Sequence, residues 1–257
     1  LDAAAGAVAW LKSQNRGFFV GDVPVPIVPS AILFDLRNGG DKEWGEDPPY
    51  RTLGRTACEN LSTDFALGNI GAGLGAVAGT LKGGLGSASA ILDSGIQVGA
   101  LVAVNAVGSA VMPGTRTFWA WAAERNGEFG GSGPPDTMPD WSVPHTKMPL
   151  RAGGNTTIGV VATNADLDTA QCHRMAIMAQ DGIARAIRPA HTPFDGDALF
   201  ALATGRVPLP DAAEGDSRIP AAVAAIGAAA ADCVERAIAR AVYAAEGLGD
   251  IAAYCDL

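Results

Sequence analysis

Apolar and polar positions along this chain follow two periods, and the switches between them mark its elements. The first residues, Asp2-Ala-Ala-Ala-Gly-Ala-Val-Ala-Trp10-Leu-Lys12, predict a helix at the very start, with neither a cap nor a strand before it, so a preceding segment is expected. Ser30–Leu36 reads as a short buried strand ending in the turn Asn38-Gly-Gly, and 52–65 has helical apolar spacing. Gly68–Gly79 is too glycine-rich for a helix interior. Two strands, Ser87–Leu92 and Ile96–Asn105, flank the hairpin turn Asp93-Ser94-Gly95. From Gly127 to Gly154 the chain is a long Gly/Pro/Ser loop, which in a compact domain is usually functional or disordered. It ends at Asn155-Thr-Thr-Ile-Gly-Val-Val-Ala-Thr163, a β-branched run predicted to be a core strand. An amphipathic helix over 167–187, opened by Asp168 or Thr169 and closed by Arg188-Pro189, leads to a strand over 198–204 and an Ala-rich helix over 219–246. Strands bracketed by helices predict a layered α+β sandwich in a single domain over 1–257.

Composition narrows the function classes. The 257 residues are 48% hydrophobic and 18% charged, enough for one substantial core. With 18 Lys+Arg against 27 Asp+Glu the net charge is −9, a sign that repels phosphate backbones, so nucleic acid is not an expected partner. The longest apolar stretch, 96–111, is interrupted by Gln97 and Asn105 and falls short of the ~20 residues of a membrane span, so no membrane partner is expected. Cys58, Cys172, Cys233 and Cys255 lack C-x-x-C spacing and read as buried thiols rather than zinc ligands or a disulfide frame. A cytoplasmic location is the default expectation.

The chemistry concentrates where a flexible loop delivers a hydroxyl to the first position of a strand: Gly153-Gly154-Asn155-Thr156-Thr157-Ile158. A threonine hydroxyl is a weak nucleophile, but a free α-amine on the same residue has a pKa of about 8 and lies within reach of it. Cutting before Thr156 would create that base. The same residues also suit a plain turn into a strand. Asp195 and Asp197, paired across Gly196 at the mouth of the next strand, could orient an N-terminal amine or divide acid and base roles, or simply form a solvated Asp-Gly turn. His191, four residues earlier, is a further base candidate. Asn105 interrupts an apolar strand, and its amide suits either an oxyanion hole or a structural hydrogen bond. Lys82 precedes Gly-Gly but lacks the order of a phosphate-binding loop.

Several blocks in fixed order carry a resemblance over nearly the whole chain. They are Phe34-Asp-Leu-Arg-Asn-Gly-Gly, Gly71-Ala-Gly, Leu81-Lys-Gly-Gly-Leu-Gly-Ser-Ala-Ser, Val104-Asn-Ala-Val-Gly, Gly154-Asn-Thr-Thr-Ile-Gly-Val-Val-Ala-Thr163 and Ile187–Gly205. Together they resemble the self-processing peptidases that include the L-aminopeptidase D-esterase/amidase, the β-aminopeptidases and the nylon-oligomer endohydrolases. The resemblance implies an αββα sandwich like that of N-terminal-nucleophile hydrolases, with its own strand order. It implies a chain cut at Asn155–Thr156 into an α part, 1–155, and a β part, 156–257, in an assembly of four such pairs. The implied catalytic set is Thr156 as nucleophile, Asp195 and Asp197, Asn105 at the oxyanion, and Lys82, although the lysine of nylon-hydrolase members lands on Thr80 here. Phe34 stands where several members have a tyrosine, and threonine in place of serine leans toward the nylon-hydrolase side. The implied reaction is hydrolysis of small peptides, amino-acid amides or amide oligomers, with no cofactor and no metal. The alternatives are an acyltransferase of the ornithine acetyltransferase type and an uncleaved scaffold.

Overall fold

The computed structural model describes residues 1–140, 146–147, 154–211 and 216–257. Its contacts fall into two units, one made of residues 1–32 and 39–66 and the other of residues 33–38 and 67–257.

In the smaller unit, helix α1 (Asp2–Ser13) packs on helix α2 (Tyr50–Glu59). A Cβ at Gly6 would lie 2.0 Å from the Arg51 carbonyl oxygen, and one at Gly54 would lie 2.0 Å from that of Ala3, so the two helices touch backbone to backbone. Between them, β1 (Phe18–Val20) and β2 (Val23–Val25) form a hairpin whose turn begins at Gly21, with φ +63°. Helix α2 ends at Glu59, short of the predicted Phe65.

The larger unit holds a mixed four-stranded sheet of β5 (Gly84–Ile91), β6 (Gln97–Asn105), β7 (Thr156–Ala165) and β8 (Ala198–Val207), in that order. The first two pairings are antiparallel, and β7–β8 is parallel. The parallel step requires a crossover, and helix α3 (Thr169–Ala186) supplies it. Asp168 opens α3 through a capping box: its carboxylate accepts the Gln171 N–H at 2.8 Å, and the Gln171 side chain accepts the Asp168 N–H at 3.0 Å. Helix α4 (Arg218–Tyr243) then lies against α3, β5 and β6.

Alternation along the strands sends Val98, Val102, Val104 and Val161 into a core with Met175 and Ile183 of α3 and with Ile226, Val234 and Ile238 of α4. The small residues of α4 permit close approach: a Cβ at Gly86 of β5 would lie 1.9 Å from the Ala237 carbonyl oxygen. The register pairs Asn105 with Thr156, so both occupy the opposite parity and lie on the sheet face turned away from the helices. A short hairpin, β3 (Val77–Ala78) with β4 (Leu81–Lys82), precedes β5. The α+β layering matches the sequence-based expectation.

The strand predicted over Ser30–Leu36 is absent; this segment forms no ladder, because the Phe34 carbonyl is taken by the Asn105 side chain. The described part of the long loop, 127–140 with 146–147 and 154, holds no helix or strand, and Gly153 lies outside the described residues. The four cysteines are free thiols. Among the described residues, no helix is long and apolar enough to cross a membrane.

Candidate active site

Thr156 is the first residue of β7, and both it and Asn155 are buried. The Thr156 Oγ1 hydroxyl donates to the carbonyl oxygen of Asn155, the carbonyl of the peptide bond just ahead of it. The backbone N–H of Gly196 donates to that same oxygen at 2.9 Å. Two buried oxygens flank the bond with no hydrogen-bond partner among the described residues, Asn155 Oδ1 and Thr157 Oγ1.

The loop that carries Gly196 is fastened by its two aspartates. Asn155 pairs with Asp195 in a parallel bridge. Asp195 Oδ1 accepts the Val107 N–H at 3.0 Å, and its Oδ2 accepts the Thr192 N–H at 3.1 Å and the Thr192 hydroxyl at 2.5 Å. Asp197 Oδ1 accepts the Thr157 N–H at 2.7 Å, while His191 Nδ1 lies 2.8 Å from Oδ2. Burial pushes the Asp197 carboxyl above its ordinary range; the Thr157 N–H opposes this, the Asp195 charge adds to it, and His191 pulls it back. His191 thus serves Asp197.

Asn105 is fully buried. Its Oδ1 accepts from the Val77 N–H at 3.1 Å, Asn38 Nδ2 at 3.2 Å and Lys147 Nζ at 2.9 Å, and its Nδ2 donates to the Phe34 carbonyl at 2.9 Å. Phe34 therefore meets Asn105 through its backbone, where its ring has no hydroxyl to offer. Lys147 is a site residue that sequence reasoning missed. Its own N–H donates to the Val107 carbonyl at 2.9 Å. Burial lowers its pKa to about 8 against the opposing charges of Asp195 and Asp35.

Lys82 also points inward, completely buried, but it spends its ammonium on three backbone carbonyls: Gly73 at 2.7 Å, and Ala76 and Gly83 at 2.9 Å each. Burial lowers its pKa to about 8, with Asp35 opposing. All three donors serve the fold of its own turn. Thr80, the other position considered for a lysine, is exposed. The structure thus gathers Thr156, Asn155, Asp195, Asp197, Asn105 and Lys147 at one end of the sheet and gives Lys82 a place in the adjoining wall.

Comparison with known proteins places the chain in one family. Residues 1–253 match peptidase family S58. The chain belongs to that family. It is 45% identical to an uncharacterized aminopeptidase of Mycobacterium tuberculosis, an alignment covering all of this chain and 74% of that protein. It is 27% identical to a 6-aminohexanoate-oligomer endohydrolase of Agromyces sp., over 93% of this chain and 67% of the relative. Among solved structures, a β-aminopeptidase of Burkholderia sp. superposes with a TM-score of 0.59 at 24% identity, over 98% of this chain and 67% of that one, and the L-aminopeptidase D-Ala-esterase/amidase of Ochrobactrum anthropi, described as a new variant among the Ntn hydrolase fold, with a TM-score of 0.52 at 26% identity, over 79% of this chain and 52% of that one. This S58 peptidase is accordingly an α+β enzyme of that fold, and the family is the one its sequence blocks resemble.

Proposed function

We propose that this S58 peptidase cuts its own chain between Asn155 and Thr156 and then uses the freed Thr156 as an N-terminal nucleophile on small peptides, amino-acid amides or amide oligomers. The observation that carries this reading is the hydroxyl of Thr156 hydrogen-bonded to the carbonyl of the bond before it, at the first position of a buried strand. Attack by Oγ1 on the Asn155 carbonyl carbon converts the amide into an ester, and water then releases the Asn155 carboxylate. The amine that remains, with an unperturbed pKa of about 8, takes the Oγ1 proton in each later turnover. Asp195 and Asp197 fix the strand mouth where that amine sits, and Asn105 is in register to serve the substrate's oxyanion. The names of the relatives, an aminopeptidase and an amide-oligomer hydrolase, support the substrate class. Light scattering of the cut protein tests the assembly of four αβ pairs that the resemblance implies.

Turnover against pH for wild type and His191→Ala tests the base. The amine mechanism predicts activity rising through the alkaline side of neutrality, with a midpoint that survives His191→Ala even though the loosened Asp197 lowers the rate. A midpoint near ~6.5 that vanishes in His191→Ala would contradict it.

A further inference from the structure

Self-cleavage passes through a tetrahedral intermediate whose negative charge develops on the Asn155 carbonyl oxygen, beside the loop that carries Asp195 and Asp197. An anion in such surroundings needs a fixed donor. Asn105 is turned elsewhere in the uncut chain: its Nδ2 donates to Phe34, and three donors hold its Oδ1. The group that does reach the oxygen is the Gly196 N–H, at 2.9 Å.

We propose that the backbone N–H of Gly196 is the oxyanion donor of the self-cleavage step, a role separate from the one assigned to Asn105 in turnover; this rests on the self-cleavage reading above. Oγ1 forms a bond to the Asn155 carbonyl carbon while the carbonyl electrons move onto the oxygen that Gly196 holds. When the C–N bond breaks, those electrons return, the Oγ1 proton ends on the departing Thr156 nitrogen, and water hydrolyses the ester. The donor does not move during these steps, because Asp195 and Asp197 on either side are tied to the N–H groups of Val107, Thr192 and Thr157. Position 196 also leaves little room for a side chain. A Cβ there would stand 3.0 Å from Thr156 Oγ1 and 3.8 Å from the Asn155 carbonyl oxygen, crowding the nucleophile. Its glycine thus serves space beside the hydroxyl.

The test removes one hydrogen from the full-length chain. Replacing Gly196 with glycolic acid by nonsense suppression turns its amide into an ester, deleting the N–H while keeping the shape. The matching replacement at Phe194, whose N–H donates to the Thr192 hydroxyl at 3.2 Å, controls for loosening of the loop. Cleavage followed by intact mass should slow about 10²–10³-fold in the Gly196 ester, the usual effect of losing one oxyanion donor, and far less in the Phe194 ester. A Gly196 ester that cuts at the wild-type rate, or no faster or slower than the Phe194 ester, overturns the proposal. A wild-type chain that never cuts overturns the self-cleavage reading itself, and this proposal with it. Should the ester chain fail to fold, scalar coupling across the hydrogen bond decides, measured by NMR between the Gly196 nitrogen and the Asn155 carbonyl carbon in Thr156→Ala. A detectable coupling upholds the donor, and its absence overturns it.

Discussion

At residues 73–83 a lysine folds inward and gives its three protons to the carbonyls of Gly73, Ala76 and Gly83. At residues 192–197 two aspartates do the opposite, accepting the N–H groups of Val107, Thr192 and Thr157. Both turns use charged side chains, fully buried in the lysine and partly buried in the aspartates, to fix glycine-containing backbone near the same end of the sheet. The lysine turn is closed, since every donor on the ammonium is used by the turn itself. The aspartate loop is open: its side chains secure the frame and leave the Gly196 N–H for the carbonyl of Asn155. Charge type alone therefore does not mark the proposed site; what marks it is a polar group directed at the Asn155–Thr156 peptide bond.

Substitutions can break this contrast. The largest effect is expected at Asp197→Asn, which exchanges the acceptor of the Thr157 N–H and the partner of His191 for a weaker neutral amide. Cleavage and subsequent turnover should fall together, by about 10² or more, since small misplacements at a reacting centre carry that cost. Rate constants for both reactions measure it, and a loss of turnover with normal cleavage would show that Asp197 serves only one of the two.

Lys82→Met should strike stability instead, leaving three carbonyls short of a donor at a cost of about 3 kcal/mol in urea unfolding. Molecules that stay folded should cut within about tenfold of the wild-type rate, a difference under ~1.4 kcal/mol. The same variant has a pH signature. In the wild-type chain burial lowers the Lys82 pKa to about 8 from its ordinary value of 10.5, so between those values the unfolded chain holds a proton that the folded chain has released. The lysine's contribution to stability rises with pH through that window, and Lys82→Met should flatten the rise.

The smallest effect belongs to Lys147→Gln. Asn105 Oδ1 keeps the Val77 and Asn38 donors, so cleavage should change less than about tenfold, the worth of one hydrogen bond of ~1 kcal/mol. A cleavage assay showing a 10³-fold loss would place Lys147 in the chemistry.

What the sequence showed in advance depended on which atoms carry the signal. Strand β7 was legible because Asn155–Thr163 is a β-branched run, and α3 because 167–187 has amphipathic spacing between Asp168 or Thr169 and Arg188-Pro189. Asn105 stood out as an amide inside an apolar strand, and the aspartate pair by its spacing. Ser30–Leu36 misled, since an apolar run does not reveal that the Phe34 carbonyl goes to a side chain. Lys147 was hidden because it sits in a Gly/Pro-rich loop whose path no local periodicity records. Gly196 acts through a backbone N–H, which leaves no side-chain signature at all.

Whether the Asn155–Thr156 bond breaks by the action of Thr156 itself is decided by intact mass and N-terminal sequencing of the purified full-length chain. Two fragments are expected, one beginning Thr-Thr-Ile-Gly-Val, and a single uncut chain from Thr156→Ala. A wild-type chain that stays whole after prolonged incubation, or a Thr156→Ala chain cut at the same bond, would contradict self-cleavage by Thr156.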